Sequence, residues 1–191
     1  HLRRVREIIG ICPEVTDFSA LALVITSKGP YFIADTHVRA NPTAAELAEL
    51  ASEAAAHVGR FGLKPKIAFL SHSDFGSYDT ESSRKVREAT RLFTAQHPDV
   101  EAEGEMQGDA ALSQLTRQNI LPHSRLEGVA NILIMPNLDA ANIAYQMIKM
   151  LADALPVGPI LIGPSRPAHI LTKSVTARGI LNMTAVAVVE A

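Results

Sequence analysis

The hydrophobic positions of the chain form short apolar runs that alternate with longer amphipathic segments. The runs IAFL (67–70), NILIM (131–135) and GPILI (158–162) are each bounded by polar or turn-forming residues, and we expect them to be buried strands. Two further β-rich runs, FSALALVIT and PYFIADT, flank the short link SKG, which predicts an antiparallel hairpin. The loosely alternating segment VEAEGEM is another candidate strand.

Segments with helical periodicity lie between these runs. Thr43 and Glu46 have the spacing of a capping box, so a helix should begin there and continue through the alanine-rich stretch towards Gly59. The segment DAANIAYQMIKMLADAL has a clear apolar face, and we expect Asp139 to be its N-cap. Further helices are expected over residues 2–9, 80–96 and 109–119 and from residue 174 onward.

After the hairpin, the predicted strands alternate with the predicted helices. This alternation favours a mainly parallel sheet that is covered by helices. We therefore predict an α/β fold: a mainly parallel sheet flanked by helices, with the antiparallel hairpin at its edge.

Composition narrows the class of protein. The 191 residues are 47% hydrophobic and 20% charged, as in globular chains that bury a sizeable core. The formal net charge of −2 and the lack of a long basic run argue against nucleic acid as a partner. No apolar stretch approaches the roughly 20 residues of a membrane span, so no membrane partner is expected.

The single cysteine, Cys12, excludes an internal disulfide and a cysteine-rich zinc site. It fits a reducing compartment, and we expect a cytoplasmic location. Because His1 stands where a full-length chain has Met, we expect a fragment or a processed product.

The loop after the run IAFL is the first candidate site. Its hydroxyl groups and its glycine lie between a predicted strand and a predicted helix, where exposed amides favour an anion such as phosphate. An ordinary turn with helix caps is the alternative interpretation. The candidate residues are Ser71, Ser73, Gly76 and Ser77.

Other kinds of site find less support. Ser71, His72 and Asp74 are the residue types of a hydrolase triad, but neighbours in one loop cannot adopt its relay geometry. The histidines are scattered, and neither an H-E-x-x-H pattern nor a tight carboxylate cluster occurs, so we expect no metal. No G-x-G-x-x-G is present either, which argues against a nicotinamide cofactor in this chain.

Two further loops carry candidate ligand contacts. Asn137 and Asn142 cluster between a buried strand and a helix start, where backbone fixing and ligand contact are equally good explanations. In the segment GPSRPAHILTK, the residues that could meet a phosphate are Ser165, Arg166, Thr172 and Lys173, with a solvated surface loop as the alternative.

Four segments, in this order and spacing, resemble the phosphate acetyl/butyryl transferases: AFLSHSDFGS, GEMQGDAAL, ANILIMPNLDAANIAYQMI and GPILIGPSRPAHILT. The opening LRRVREIIG fits too, and the resemblance covers essentially the whole chain. It implies transfer of an acetyl group between coenzyme A and phosphate by a two-domain α/β protein that is usually dimeric. It also implies that residues 1–157 are the second domain and that residues 158–191 return to a first domain whose remainder is absent.

The resemblance assigns roles near the end of the chain. An active transferase typically reads P-V-N-D-L-S-R-G there, with an Asp five residues later. Aligning Pro167 with that proline puts Thr172 at the serine, Lys173 at the arginine that binds substrate phosphate, and Gly179 at the acid thought to act as base. Glycine cannot take a proton, and lysine lacks the bidentate fork of arginine.

This departure is similar to the C-terminal phosphotransacetylase-like domain of hybrid NADP-dependent malic enzymes. The resemblance implies an inactive domain that senses acetyl-CoA and promotes oligomerisation, with the malate, NADP and divalent-metal sites upstream. Arg3 matches an arginine of the family's opening motif and is a further candidate contact for a coenzyme A phosphate. An active acyltransferase, and a domain retained only for assembly, are the alternatives.

Overall fold

The computed structural model describes residues 1–173 and 175–191. Strands and helices alternate along most of the chain, as the sequence predicts. In chain order the elements are α1 (Leu2–Ile8), β1 (Ser19–Thr26), β2 (Gly29–Ala34), α2 (Ala44–Arg60), β3 (Lys66–Leu70), α3 (Glu81–Gln96), β4 (Glu101–Met106), α4 (Gly108–Leu112), α5 (Gln114–Ile120), β5 (Ile132–Ile134), α6 (Leu138–Leu151), β6 (Leu155–Ile162) and α7 (Ala177–Glu190).

The strands form one six-stranded sheet in the order β4-β3-β5-β2-β1-β6. β2, β5, β3 and β4 are parallel, whereas β1 is antiparallel to both β2 and β6. The predicted α/β fold with a mainly parallel sheet flanked by helices is therefore confirmed.

The predicted position of the hairpin at the edge of the sheet is wrong. β6 lies outside the β1–β2 hairpin, in a register that runs from Ser19 opposite Ile162 to Ile25 opposite Leu155. Residues 19–24 are all buried, which is typical of a strand with neighbours on both sides and cover on both faces. The partner of β1 lies far along the chain, so no local turn signal could reveal it.

Helices cover both faces of the sheet because the strands alternate their side chains. Phe32 points into the core beneath α2, α3 and α7, while its neighbour Ile33 points into a second core beneath α4 and α6. The result is a three-layer α/β/α arrangement. None of the helices in the described residues is long and apolar enough to cross a membrane.

Local capping signals explain most helix starts. Thr43 and Glu46 form the predicted capping box at the start of α2. The predicted N-cap Asp139 is wrong: Asn137 caps α6, because its side chain accepts the Ala140 N–H at 2.9 Å. The helix predicted over residues 109–119 is divided into α4 and α5 at Ser113, whose side chain caps α5.

The predicted division between residues 157 and 158 falls inside β6. Residues 155–162 form one strand beside β1, and Met183 and Val186 of α7 are buried in the core beneath α2. Strand β6 and helix α7 therefore pack with the same sheet as the rest of the chain. The return of residues 158–191 to another domain stays a prediction.

Candidate functional site

One edge of the sheet collects the loops that the sequence singles out. Five strands, all except β1, end at this edge, because β6 runs in the same direction as β2. In open α/β sheets, ligands bind beyond the carboxyl ends of the strands. The structure divides the candidate residues at this edge into two groups.

The first group surrounds a buried carboxylate, Glu105, at the end of β4. Ser73 Oγ donates a hydrogen bond to Glu105 Oε1 at 2.8 Å, and the Gly76 N–H donates to the same atom at 2.9 Å. Arg87 of α3 donates to both oxygens, from Nε to Oε2 at 3.0 Å and from Nη2 to Oε1 at 3.1 Å. The loop therefore holds an anion that belongs to the chain itself.

These contacts keep Glu105 ionised. Burial on its own would raise the pKa of Glu105, but hydrogen bonds from Arg87, Ser73 and Gly76 outweigh burial, so the pKa lies below its usual value. Ser71 and Ser77 serve the loop backbone, since they accept the N–H groups of Ser73 and Asp74 at 3.3 and 2.9 Å. Contact of these serines with an external ligand stays a prediction.

Gly104 allows Glu105 to reach this position. A Cβ at Gly104 would lie 2.7 Å from Phe69 Cβ and 2.9 Å from Thr90 Oγ1, so no side chain fits between β4, β3 and α3. The close approach brings the carboxylate under the 71–78 loop. The Phe75 N–H then donates to the Glu105 carbonyl at 2.8 Å and fixes the loop above it.

The second group lies beyond β2, β5, β1 and β6. Asn142 Nδ2 donates to the Thr36 carbonyl at 3.2 Å, so α6 is tied to the segment that follows β2. Asn137 has the capping role already described. Both asparagines therefore fix the backbone, and their predicted contact with a ligand remains a prediction.

A cavity of about 260 Å³ opens next to this segment. Its wall is mainly apolar, with two imidazoles and one hydroxyl. The lining residues are His1, Leu2, Ala20, His37, Val38, Pro159, Leu161, Ile170 and Thr172. The fold thus brings the predicted contact Thr172 beside α1, which carries the predicted contact Arg3.

The two predicted cationic contacts, Arg3 and Lys173, are exposed and lie next to residues that line this cavity. Arg3 forms an ion pair with Glu7 on its own helix at 2.7 Å. Lys173 directly follows Thr172 along the chain and is exposed. Both charges are therefore accessible to a ligand from solvent.

Asp35 and His37 belong to this site, and the sequence analysis missed both. Asp35 is buried and accepts the N–H groups of His37, Val38 and Arg39 at 2.8, 3.1 and 2.9 Å, which fixes the turn after β2. Burial raises the pKa of Asp35, although these backbone hydrogen bonds oppose it. The signal was the polar sequence DTHVR directly after a strand that ends at the ligand-binding edge.

His37 offers a neutral imidazole to the cavity. Burial lowers its pKa below 6.5, against the opposing charge of Asp35, so the ring is neutral at pH 7. Its Nδ1 lies 2.8 Å from Thr36 Oγ1.

Gly179 lies in the first turn of α7, where its N–H donates to the N-cap Thr176 at 3.1 Å. A Cβ at this position would lie 2.9 Å from Val175 Cγ2. The position therefore has no carboxylate, and any side chain placed there would require the valine side chain to shift. Within residues 1–173 and 175–191, no cluster of three histidine, cysteine or acidic side chains could hold a metal.

Comparisons with known proteins agree with this geometry. The profile of the family described as "Phosphate acetyl/butaryl transferase" matches residues 1–188. An NAD-dependent malic enzyme of Rhizobium meliloti is 51% identical over 190 residues, and an NADP-dependent malic enzyme of Escherichia coli is 44% identical over 192 residues. Each match covers 100% of this chain but 25% of the relative, so the chain spans a quarter of their length.

A phosphate acetyltransferase of Paracoccus denitrificans is 34% identical over 196 residues, which cover 99% of this chain and 62% of that protein. Among solved structures, the EutD phosphotransacetylase of Staphylococcus aureus superimposes with a TM-score of 0.94 at 29% identity, over 98% of this chain and 58% of that one. A phosphotransacetylase of Streptococcus pyogenes gives 0.93 at 34% identity, with the same coverage. The chain belongs to the phosphate acetyl/butyryl transferase family, as a phosphotransacetylase-like domain of the kind that malic enzymes contain.

Proposed function

We propose that the chain is an acetyl-CoA-binding regulatory domain of a larger malic enzyme and has no transferase activity of its own. The observation that carries this proposal is Gly179, which occupies the position of the family's acid while Val175 fills the adjacent space. Without a carboxylate there, nothing at this position can take the proton of the coenzyme A thiol.

The larger protein is proposed to catalyse oxidative decarboxylation of malate to pyruvate in the cytoplasm. Its malate, NADP and divalent-metal sites would lie outside this chain. Because the 51% identical relative is named NAD-dependent, the choice of nicotinamide needs an assay with both cofactors.

The acetyl-CoA is proposed to lie along the ligand-binding edge of the sheet. The 260 Å³ cavity offers an apolar wall for the acyl and pantetheine parts, and Arg3 and Lys173 are accessible cations for the phosphates. The remaining candidate contacts are Ser71, Ser73, Gly76, Ser77, Asn137, Asn142 and Thr172. Ser73 and Gly76 would reach a ligand only by sharing donors that already hold Glu105.

The test is titration of the whole protein with acetyl-CoA by calorimetry, followed by an assay of the same sample for acetyl phosphate. We expect binding without turnover, and weaker binding in Lys173→Ala but not in Lys28→Ala, an exposed lysine in the hairpin turn at the opposite edge. Acetyl phosphate formation would overturn the proposal. Malic enzyme activity that responds to acetyl-CoA would support the regulatory role.

An active acyltransferase is the second candidate, favoured by the 34% identical phosphate acetyltransferase. A coenzyme A thiol with a pKa near 8.5 supplies some thiolate without a base. This candidate predicts a rate that rises with pH up to that value. If the acid was lost as proposed, Gly179→Asp alone should restore no activity, because its Cβ would collide with Val175. The double variant Gly179→Asp, Val175→Ala removes this collision and tests whether the acid restores activity.

Self-association is proposed to use α6. Four apolar side chains form a stripe on this helix, and each has more than half of its surface exposed: Ile143 (58%), Met147 (55%), Met150 (75%) and Leu151 (81%). A second copy of the chain would cover this stripe. Sedimentation of Met150→Glu should give a smaller oligomer than wild type, whereas Lys28→Glu, in the exposed hairpin turn at the opposite edge of the sheet, should not. Intact oligomers without any response to acetyl-CoA would favour a domain retained only for assembly.

A further inference from the structure

A second and larger cavity, of about 360 Å³, lies between α2, the loop after β6 and the end of α7. Three of its lining side chains come from one face of α2, at positions 53, 57 and 60, which are neighbours at helical spacing. The chain end supplies Glu190, and the loop after β6 supplies Arg166. The cavity is thus built from segments that are far apart in the sequence.

The floor of this cavity contains buried polar atoms without a partner. Glu53 Oε2 accepts a hydrogen bond from Ser19 Oγ at 2.6 Å, but Glu53 Oε1 has no partner among the described residues. The same holds for Glu190 Oε1 and His57 Nδ1. Buried oxygens that lack a donor are costly, so this floor is complementary to a ligand that brings donors.

Two imidazoles flank the carboxylate of Glu190. His57 Nε2 lies 3.4 Å from Glu190 Oε1, and His169 Nε2 lies 3.2 Å from Oε2. Burial lowers the pKa of His57 to about 4, although Glu190 opposes this shift, so His57 is neutral at pH 7. His57 therefore brings no positive charge to Glu190.

Three exposed charged residues also line the cavity, the acid Glu14 and two arginines, so the exposed charge there is positive on balance. Arg60 and Arg166 both line it, both are exposed, and neither forms an ion pair within residues 1–173 and 175–191. Between the acidic floor and these arginines the wall is apolar. It is formed in part by Val15, Leu161 and Pro164.

We propose that this cavity binds a free α-amino acid with an apolar side chain. The ammonium group pairs with the carboxylates of Glu53 and Glu190, the ligand carboxylate meets Arg60 and Arg166, and the side chain packs against the apolar part of the wall. A volume of about 360 Å³ accommodates such a molecule. The walls of the two cavities share Leu161, so the amino acid would occupy a second site next to the one proposed for acetyl-CoA.

The titration of Glu53 supplies an independent readout. Burial raises the pKa of Glu53 to about 7; the Ser19 hydrogen bond and Arg39 oppose this shift, while Glu49 and Asp35 add to it. Part of the Glu53 population is therefore protonated at pH 7. A bound ammonium group favours the carboxylate, so binding should release a fraction of a proton per site.

The first experiment screens the standard amino acids against the whole protein by thermal denaturation at millimolar concentration. L-leucine, with its branched apolar side chain, is then titrated by calorimetry at pH 7 in two buffers of different ionisation enthalpy, which measures the proton release. Isoamylamine lacks the carboxylate and 4-methylpentanoate lacks the ammonium group. Each should bind at least about tenfold more weakly, because each loses one charged contact.

Variants decide where the ligand sits. Glu53→Gln should weaken binding of L-leucine and abolish the proton release, and Arg166→Gln should weaken binding with the proton release retained. The matched controls are Glu81→Gln and Arg178→Gln, which change exposed residues outside the cavity. Failure of every amino acid to bind, or unchanged binding in both cavity variants, overturns the proposal. A parallel titration with acetyl-CoA tests the proposed function separately on each sample.

Discussion

Glu105 and Glu53 are two inward-facing carboxylates of the same chain with opposite surroundings. Four hydrogen bonds from Ser73, Gly76 and Arg87 hold both oxygens of Glu105, and its pKa is lowered. Glu53 has one donor, and its pKa is raised. A loop rich in hydrogen-bond donors can thus be occupied by a carboxylate of the same chain. Unused hydrogen-bonding groups can lie at a position that no sequence motif marks.

The largest expected difference in stability comes from removing the negative charge of each carboxylate. Glu105→Gln removes the anion that pairs with Arg87 and should lower the free energy of unfolding by about 3 kcal/mol. Glu53→Gln should instead raise the free energy of unfolding at pH 7, because burial disfavours the ionised form of Glu53 and glutamine carries no charge. Urea denaturation of the two variants measures both values. Equal losses would mean that the two environments do not differ as described.

A second comparison is between two glycines, Gly104 beside Glu105 and Gly59 in α2. Gly104→Ala should lower the free energy of unfolding by about 2 kcal/mol or more, because its Cβ would collide with Phe69 and Thr90. Gly59→Ala is the matched control: it lies in α2 with no atom near its Cβ position, and alanine there should raise stability by up to about 1 kcal/mol. A neutral result for Gly104→Ala would show that β4 does not need this close approach.

The pH dependence of stability should separate the groups of the larger cavity. His57 has a folded pKa of about 4 against 6.5, so the unfolded state binds more protons between these values and the contribution of His57 to stability rises with pH there. Glu53 has a folded pKa of about 7 against 4.5, so its contribution falls as pH rises through that window. The two effects oppose each other in the wild type.

Replacing Glu53 or His57 should reveal how each residue changes the dependence of stability on pH. Between pH 4.5 and 6.5, the melting temperature of Glu53→Gln should rise with pH more steeply than that of the wild type, and that of His57→Gln should fall relative to it. Each change corresponds to a difference of about 2 kcal/mol across the window, because one pKa unit is worth about 1.4 kcal/mol. Identical slopes in both variants would contradict the assigned pKa shifts.

The smallest expected effect lies within the loop around Glu105. Ser73→Ala removes a donor to Glu105 and the acceptor of the Tyr78 N–H, so it should cost about 1–2 kcal/mol. Ser77→Ala removes one acceptor at an exposed position and should cost about 0.5 kcal/mol. Chemical denaturation of the two serine variants measures both losses in the free energy of unfolding. A larger loss for Ser77 would reverse the assignment of Ser73 as the structural serine.

Elements with local causes could be predicted from the sequence. The capping box of Thr43 and Glu46, the buried run 67–70 and the fold class all follow from neighbours within a few residues or from the order of elements. The choice of Asn137 over Asp139 as a cap could not be made, since both side chains suit the role and only the exact helix start decides.

The candidate site was predictable only in part, because its contacts depend on strand pairing. Ser73 meets Glu105 through the parallel register of β3 and β4, which no pattern within either segment encodes. Glu190 approaches His57 only after α7 has packed on the sheet. The spacing of 53, 57 and 60 on one helix face is visible in the sequence, but no local pattern places Glu190 opposite that face.

The pairing of β1 with β6 has a consequence for synthesis of the protein. During translation, β1 and β2 leave the ribosome on the order of ten seconds before residues 155–162 are made. Until then the outer backbone groups of an apolar strand, SALALV, have no partner. A nascent chain arrested before residue 155 should therefore bind chaperones and aggregate more than one that extends past β6.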